Sequence, residues 1–189
     1  MLLLLLMCHV VTLAPMSGDS SVEFLAVRYR YGWDAASYSS FTMYKTVVGF
    51  IANFLSIGIL SEFLQLSDAV IGIISCLSLA ASSILAGLAT SATWAYIAPI
   101  ASLLSGSVMA VSRTLIFKII SENETGKINS FIGSLESLTP LIVVPVYTHV
   151  YSMFFETFAG CYNLLSAGMM IIPTAVNIWI YQDMNSKTD

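Results

Sequence analysis

This chain of 189 residues is 57% hydrophobic and only 10% charged, and its mean hydropathy is +0.84. A soluble domain carries roughly 25% charged residues, so the composition argues against one and predicts an integral membrane protein. The net charge of -4 comes without a basic run, which argues against a nucleic-acid surface, and the three cysteines show no spacing typical of a disulfide framework or zinc site.

Uncharged stretches long enough to cross a bilayer divide the chain, because one span needs roughly 20 apolar residues. Every residue between Asp68 and Arg113 is uncharged, and a polar turn at 90–94 splits this interval into two helices. Ser67 and Asp68 form a helix start signal. The same reasoning along the chain predicts six spans and a short polar tail at 184–189. The spans lie at about 2–28, 37–64, 69–89, 94–114, 128–150 and 158–181.

Basic residues indicate the orientation of the predicted bundle. Six crossings place both chain ends on one side, which also carries Arg113, Lys118, Lys127 and Lys187. The opposite side carries Arg28 and Arg30. Because basic residues favour the cytoplasmic side, we expect cytosolic termini in a plasma or endolysosomal membrane.

The N-terminal stretch Leu2–Ala14 has a second interpretation. It is apolar and small residues follow it, as in the core of a cleaved secretory signal peptide. No basic residue precedes the stretch, and apolar sequence continues over Val22–Val27, which favours a membrane span.

Ionisable residues inside the predicted spans are the candidate functional groups, since each costs roughly 2.5 to 3.5 kcal/mol at a helix centre unless it is paired or solvated. Asp19 and Glu23 lie one helical turn apart on the first span and therefore share a face. Lys45 lies in the second span, Glu136 in the fifth, and Arg113 at the end of the fourth. These five residues are candidates for proton or solute coupling.

A purely structural interpretation stays open for the same residues. Glu136 is expected to neutralise Lys45 if the two form a structural pair, and Arg28 or Arg30 is expected to satisfy the two acids of the first span. Arg113 also fits a simple anchor at the membrane interface.

Two prolines, Pro140 and Pro145, fall inside the fifth span. A proline within a helix removes a backbone donor, so they predict a kinked and gating helix. Catalytic signatures are missing from the sequence: it has two histidines, no HExxH motif and no Gly-rich phosphate loop. We therefore expect no enzyme, no metal site and no cofactor.

Several segments resemble one transporter family. The stretches 112–118 and 124–130, followed by Glu136, Pro140, Pro145 and Tyr147, look like the tenth-to-eleventh helix region of the proton-coupled folate transporter family. That family belongs to the major facilitator superfamily. Further matches, in the order of insect-type members, are 18–19, 28–30, 33–34 and 68–72. Phe117 before Lys118, and a loop at 154–162 without proline, depart from the family pattern.

The resemblance implies that the six spans correspond to helices seven to twelve, the C-terminal half of a twelve-helix transporter. Arg113 then matches the family arginine implicated in proton and substrate coupling. The expected function is proton-coupled transport of a small organic anion by a half-transporter or fragment. The expected partners are the lipid bilayer, the solute, protons, and a missing N-terminal half or a second copy. The alternative is a non-transporting membrane scaffold or partner subunit.

Overall fold

The computed structural model describes residues 1–185, which fold into a bundle of α-helices. Within that range there are eight α-helices: α1 Leu2–Tyr31, α2 Ala35–Leu55, α3 Asp68–Leu88, α4 Ala92–Ile97, α5 Val108–Phe117, α6 Thr125–Phe158, α7 Cys161–Met169 and α8 Ile171–Asn185. A π-helix, Ser56–Phe63, continues α2, and short 3-10 helices precede α5 and α6 at Ala98–Ser102 and Glu122–Glu124. The predicted all-α class is confirmed. Lys187 and most of the predicted polar tail lie outside the described residues.

Five helical segments of the described chain are long and apolar enough to cross a membrane. They are Leu2–Tyr31, Ala35–Leu60, Asp68–Leu88, Thr125–Phe158 and Cys161–Asp183. Each overlaps one of the predicted spans. The last is built from two helices, α7 and α8. The number of six crossings remains a prediction.

The predicted fourth span, 94–114, is not one continuous helix. It consists of α4, the 3-10 helix Ala98–Ser102, a series of turns and α5. Pro99 at the start of the 3-10 helix lacks a backbone donor, which explains the change of helix type. Gly106 lies in the turns, where a Cβ atom would come 2.5 Å from the backbone carbonyl of Ala52 on α2. The break therefore lets this segment approach α2 closely.

Helix α1 lies at the centre of the bundle and contacts α5, α6, α7 and α8. Its buried residues recur every three or four positions, as expected for one buried helix face. Two apolar clusters pack around it. The first joins Leu5 and Leu60 to Ile116, Ile132 and Ile180. The second surrounds Tyr147. Large apolar side chains on α2 and α6 remain exposed, as in helices that face lipid.

The turn between α1 and α2 is closed by two local signals. Gly32 ends α1 in the left-handed conformation, with φ at 67°, and its N–H donates to the Arg28 carbonyl. Asp34 caps α2 by accepting the Ser37 N–H at 2.9 Å. This hydrogen bond holds the pKa of the exposed Asp34 carboxyl below its usual range.

Candidate functional site

The first cluster of ionisable groups joins α1, α5 and α6 around Glu136. Arg113 donates from Nη2 to both carboxylate oxygens of Glu136, at 2.6 and 2.7 Å. His9 Nε2 lies 2.8 Å from Glu136 Oε1, within hydrogen-bonding distance. We call these three residues the Glu136 cluster. One carboxylate therefore connects an arginine and a histidine that the sequence places far apart.

Burial differs sharply across the Glu136 cluster. The His9 side chain is 0% exposed, whereas those of Glu136 and Arg113 are 25% and 40% exposed. His9 Nδ1 is buried and has no hydrogen-bond partner in the part of the chain that the structure describes. Arg113 is attached to Glu136 through one nitrogen, and its Nε and Nη1 make no hydrogen bond to the described residues. The cluster thus extends from the bundle interior to an open surface that presents unused guanidinium donors.

A second cluster lies farther along α1 and includes both of its acids. Lys45 on α2 donates to Glu23 Oε1, and the Tyr38 hydroxyl donates to Glu23 Oε2 at 3.2 Å. Asp19 accepts a 2.6 Å hydrogen bond from Ser166 on α7. We call Asp19, Glu23 and Lys45 the α1–α2 cluster. It borders a cavity of about 170 Å³ inside the bundle.

The structure corrects two pairings expected from the sequence. Glu136 does not neutralise Lys45, because it pairs with Arg113 while Lys45 pairs with Glu23. Arg30 does not satisfy the α1 acids. Its guanidinium donates instead to three carbonyls at the end of α3, those of Ala86, Gly87 and Ala89. Arg28, the other candidate, makes no ion pair with a described residue.

Four polar partners in these clusters are not among the functional candidates that the sequence indicates: His9, Tyr38, Tyr147 and Ser166. His9 gave a usable signal, since it is an ionisable residue inside an apolar run, like the five that were selected. Serine and tyrosine are common in membrane helices, so the remaining partners become visible only through their contacts.

The two prolines of α6 do not interrupt the helix. Both lie within Thr125–Phe158, which continues past them as one α-helix. The helix therefore accommodates the two lost backbone donors without ending, and the kink expected from the prolines stays a prediction. Their gating role remains a prediction.

No family model matches the chain. Two curated proteins are similar to it. The "Probable peptidoglycan muropeptide transporter SLC46" of Drosophila melanogaster is 24% identical over 170 residues, which cover 88% of this chain and 33% of that protein. The "Lysosomal proton-coupled steroid conjugate and bile acid symporter SLC46A3" of Gallus gallus is 27% identical over 149 residues, which cover 79% of this chain and 30% of that protein.

The chain therefore spans about a third of the length of these relatives. Their names do not mention folate, and one comes from an insect and the other from a bird, so the similarity does not single out a folate-specific or insect-type member. Both relatives are named as transport proteins. The chain is thus similar to the SLC46 transporters, membrane proteins of the major facilitator type.

Proposed function

We propose that this chain forms part of a proton-coupled symporter for an organic anion, with Arg113, Glu136 and His9 as its coupling cluster. The observation that supports this proposal is that the Glu136 carboxylate contacts both Arg113 and His9. Glu136 bonds Arg113 through a single guanidinium nitrogen, and the remaining donors of Arg113 are available for an anion.

The arrangement supplies a simple physical basis for symport. An ionised Glu136 holds Arg113 as an ion pair and competes with any anion for its guanidinium. When Glu136 takes up a proton, its charge is lost and Arg113 becomes the uncompensated cation that an anionic solute can bind. Proton uptake and anion binding thereby favour one another, as coupling between two ligands requires. His9, fully buried beside Glu136, is positioned to exchange the proton with it.

The solute is proposed from the chemistry of the cluster and from the relatives. Arginine binds carboxylate and similar oxyanions through its planar donor fork. The chicken relative is named for steroid conjugates and bile acids, and the fly relative for muropeptides. An organic solute with at least one anionic group is consistent with the free donors of Arg113.

We also propose that the pathway is completed by further helices. Facilitator-type transporters bind substrate between two halves of the bundle, and this chain covers about a third of its relatives. An N-terminal six-helix half or a second copy would supply the opposite wall. The proposed setting is a plasma or endolysosomal membrane, with the ends of the chain in the cytosol.

Arg113→Ala tests this proposal in the complete transporter that contains this segment. An inward proton gradient should drive uptake of a radiolabelled organic anion, with bile acids and steroid sulfates as the first probes. We expect Arg113→Ala to reduce this uptake at least tenfold without lowering surface abundance. Arg28→Ala is the matched control, because Arg28 is an exposed arginine without an ion pair to a described residue.

Unchanged uptake in Arg113→Ala contradicts the proposal and leaves Arg113 as an interfacial anchor. Glu136→Gln supplies the second readout. It should keep anion binding but make uptake independent of the proton gradient, since the neutral amide imitates the protonated acid. Uptake by Glu136→Gln that still follows the gradient contradicts the role of Glu136.

A further inference from the structure

The cavity beside the α1–α2 cluster contains an unusual balance of charge. Its polar wall includes Asp19 and Glu23 from α1, Lys45 from α2, Ser83 from α3 and Asn163 from α7. Two of these groups are carboxylates and one is an ammonium. If all three were ionised, the cavity would carry one negative charge without a counter-ion.

The hydrogen bonds show which acid has its counter-ion. Glu23 accepts from Lys45 at one oxygen and from the Tyr38 hydroxyl at the other. Asp19 accepts only from Ser166, which is a neutral hydroxyl, and Ser166 in turn lies 2.8 Å from the Tyr147 hydroxyl. The second oxygen of Asp19 makes no hydrogen bond to a described residue. The uncompensated charge therefore falls on Asp19.

Among the described residues, the neighbouring helices provide no other cation for Asp19. The titratable groups around it are Glu23 on its own helix, Lys45 and Tyr38 on α2, Tyr147 on α6 and Tyr162 on α7. The wall from α3 and from the 92–102 segment contributes serines and apolar residues. Of the two arginines on α1, Arg30 is held by the carbonyls at the end of α3, and Arg28 makes no ion pair with a described residue.

The cavity also has room for water beside Asp19. Its volume of about 170 Å³ is many times the roughly 10–15 Å³ that one water needs, so several waters fit. Carboxylate, ammonium, hydroxyl and amide groups border this space, so waters within it have the several polar partners that they need.

We propose that Asp19 carries an exchangeable proton in this cavity while Glu23 and Lys45 remain an ion pair. Loss of that proton produces a second carboxylate one helical turn from Glu23, and Lys45 is drawn between the two. The contact between α1 and α2 is thus linked to the protonation of Asp19. This proposal concerns residues outside the Glu136 cluster and rests on the charge balance of the cavity. It can therefore be tested without a transport assay.

Infrared titration of the purified 189-residue chain in lipid nanodiscs tests the assignment. The protonated carboxylic acid has a C=O stretching band that the carboxylate lacks. We expect a band at neutral pH that disappears on raising the pH and is absent from Asp19→Asn. Asp34→Asn is the matched control, because Asp34 is exposed in the α1–α2 turn and asparagine preserves the cap. It should leave the band unchanged.

Two further variants test the balance without altering Asp19. Glu23→Gln releases Lys45 to pair with Asp19, so the band at neutral pH should be lost. Lys45→Met deprives Glu23 of its counter-ion, so the band intensity should about double. Size-exclusion chromatography identifies any variant that fails to fold. If Asp19→Asn fails to fold, the Lys45→Met variant provides the deciding measurement.

Three outcomes overturn the inference. They are a wild-type chain without a protonated-acid band at any pH above 5, a band that persists in folded Asp19→Asn, and an unchanged band in both Glu23→Gln and Lys45→Met. The first two place the proton elsewhere. The third shows that Lys45 does not set the charge balance.

Discussion

At the scale of single residues, two glycines allow a close approach between backbone segments. Gly160 precedes α7, and a Cβ atom there would lie 2.1 Å from the carbonyl oxygen of Gly87 near the end of α3. The same carbonyl accepts a 3.0 Å hydrogen bond from Arg30. The backbones of α3 and of the α6–α7 link therefore come together at Gly87 and Gly160, next to the side chain of Arg30 from α1. Small residues permit such contacts between membrane helices.

Gly160→Ala is expected to lower the free energy of unfolding by about 1 to 3 kcal/mol, the usual effect of overpacking. The added methyl group meets backbone, which can move only by separating α3 from the α6–α7 link. Detergent-induced unfolding in mixed micelles, followed by tryptophan fluorescence, measures the change. Gly133→Ala is the control, because a Cβ at Gly133 meets nothing within 4 Å. Equal stability of the two variants contradicts this account of the contact.

Residue identity predicted the candidate groups better than it predicted their pairing. All five selected residues take part in ion pairs or hydrogen bonds in the structure. Their partners differ from those expected because pairing depends on how each helix is rotated about its axis. Charge spacing along one helix leaves that rotation undetermined. Arg113 and Glu136 face each other only once α5 and α6 are packed.

At the scale of elements, the broken segment between α4 and α5 is stabilised by a row of serines on α3. Ser75 donates to the Leu104 carbonyl at 2.9 Å, Ser78 to Ala101 at 2.6 Å, and Ser82 to Ala98 at 2.9 Å. Three or four positions separate these serines, so they share one helix face. Irregular backbone at membrane depth needs such partners for its polar groups. The serine row satisfies carbonyls along the whole break.

Ser78→Ala should destabilise the chain by about 1 kcal/mol, since it removes the partner of the Ala101 carbonyl. The same unfolding assay applies. Ser134→Ala is the matched control, because the exposed Ser134 hydroxyl bonds only within its own helix, to the Ser130 carbonyl. It should change the stability by less than about half as much. A neutral Ser78→Ala would show that water replaces the serine.

The break itself was only partly predictable from the sequence. Pro99 and Gly106 are visible in the 94–114 interval, yet hydrophobicity and length favoured a continuous span there. The helix is broken here because the segment contacts other parts of the bundle, namely the serines of α3 and Ala52 of α2. Those contacts join residues far apart in the chain. The long apolar segments were predictable because bilayer thickness sets their length.

At the scale of the whole molecule, the exposed surface is more apolar than that of a soluble protein. Phe50 and Phe54 on α2 and Leu141 and Ile142 on α6 are among many large apolar side chains that remain exposed. Arg113 opens onto the surface as well. An apolar surface suits lipid, whereas a guanidinium suits water or a partner. The surface around Arg113 is therefore where we expect a further part of the pathway to pack.

The last prediction is that this 189-residue chain alone inserts into membranes but does not transport. Facilitator-type pathways alternate by rocking one half of the bundle against the other, around a site at their interface. Without an opposite wall, the face that carries Arg113 has no closed pathway, and ionised groups facing hydrocarbon cost several kcal/mol in total. The chain should then associate through this face or be degraded.

Proteoliposomes with an imposed pH gradient give the direct measurement. The purified chain is expected to show no uptake of a radiolabelled organic anion above that of empty liposomes. Co-expression with a separate six-helix N-terminal half of an SLC46 relative should raise both its abundance and its uptake. Arg113→Ala in the same pair serves as the control, since it should gain abundance without uptake. Robust uptake by the chain alone would mean that copies of it build a complete pathway, and light scattering of the purified protein would then have to show a dimer.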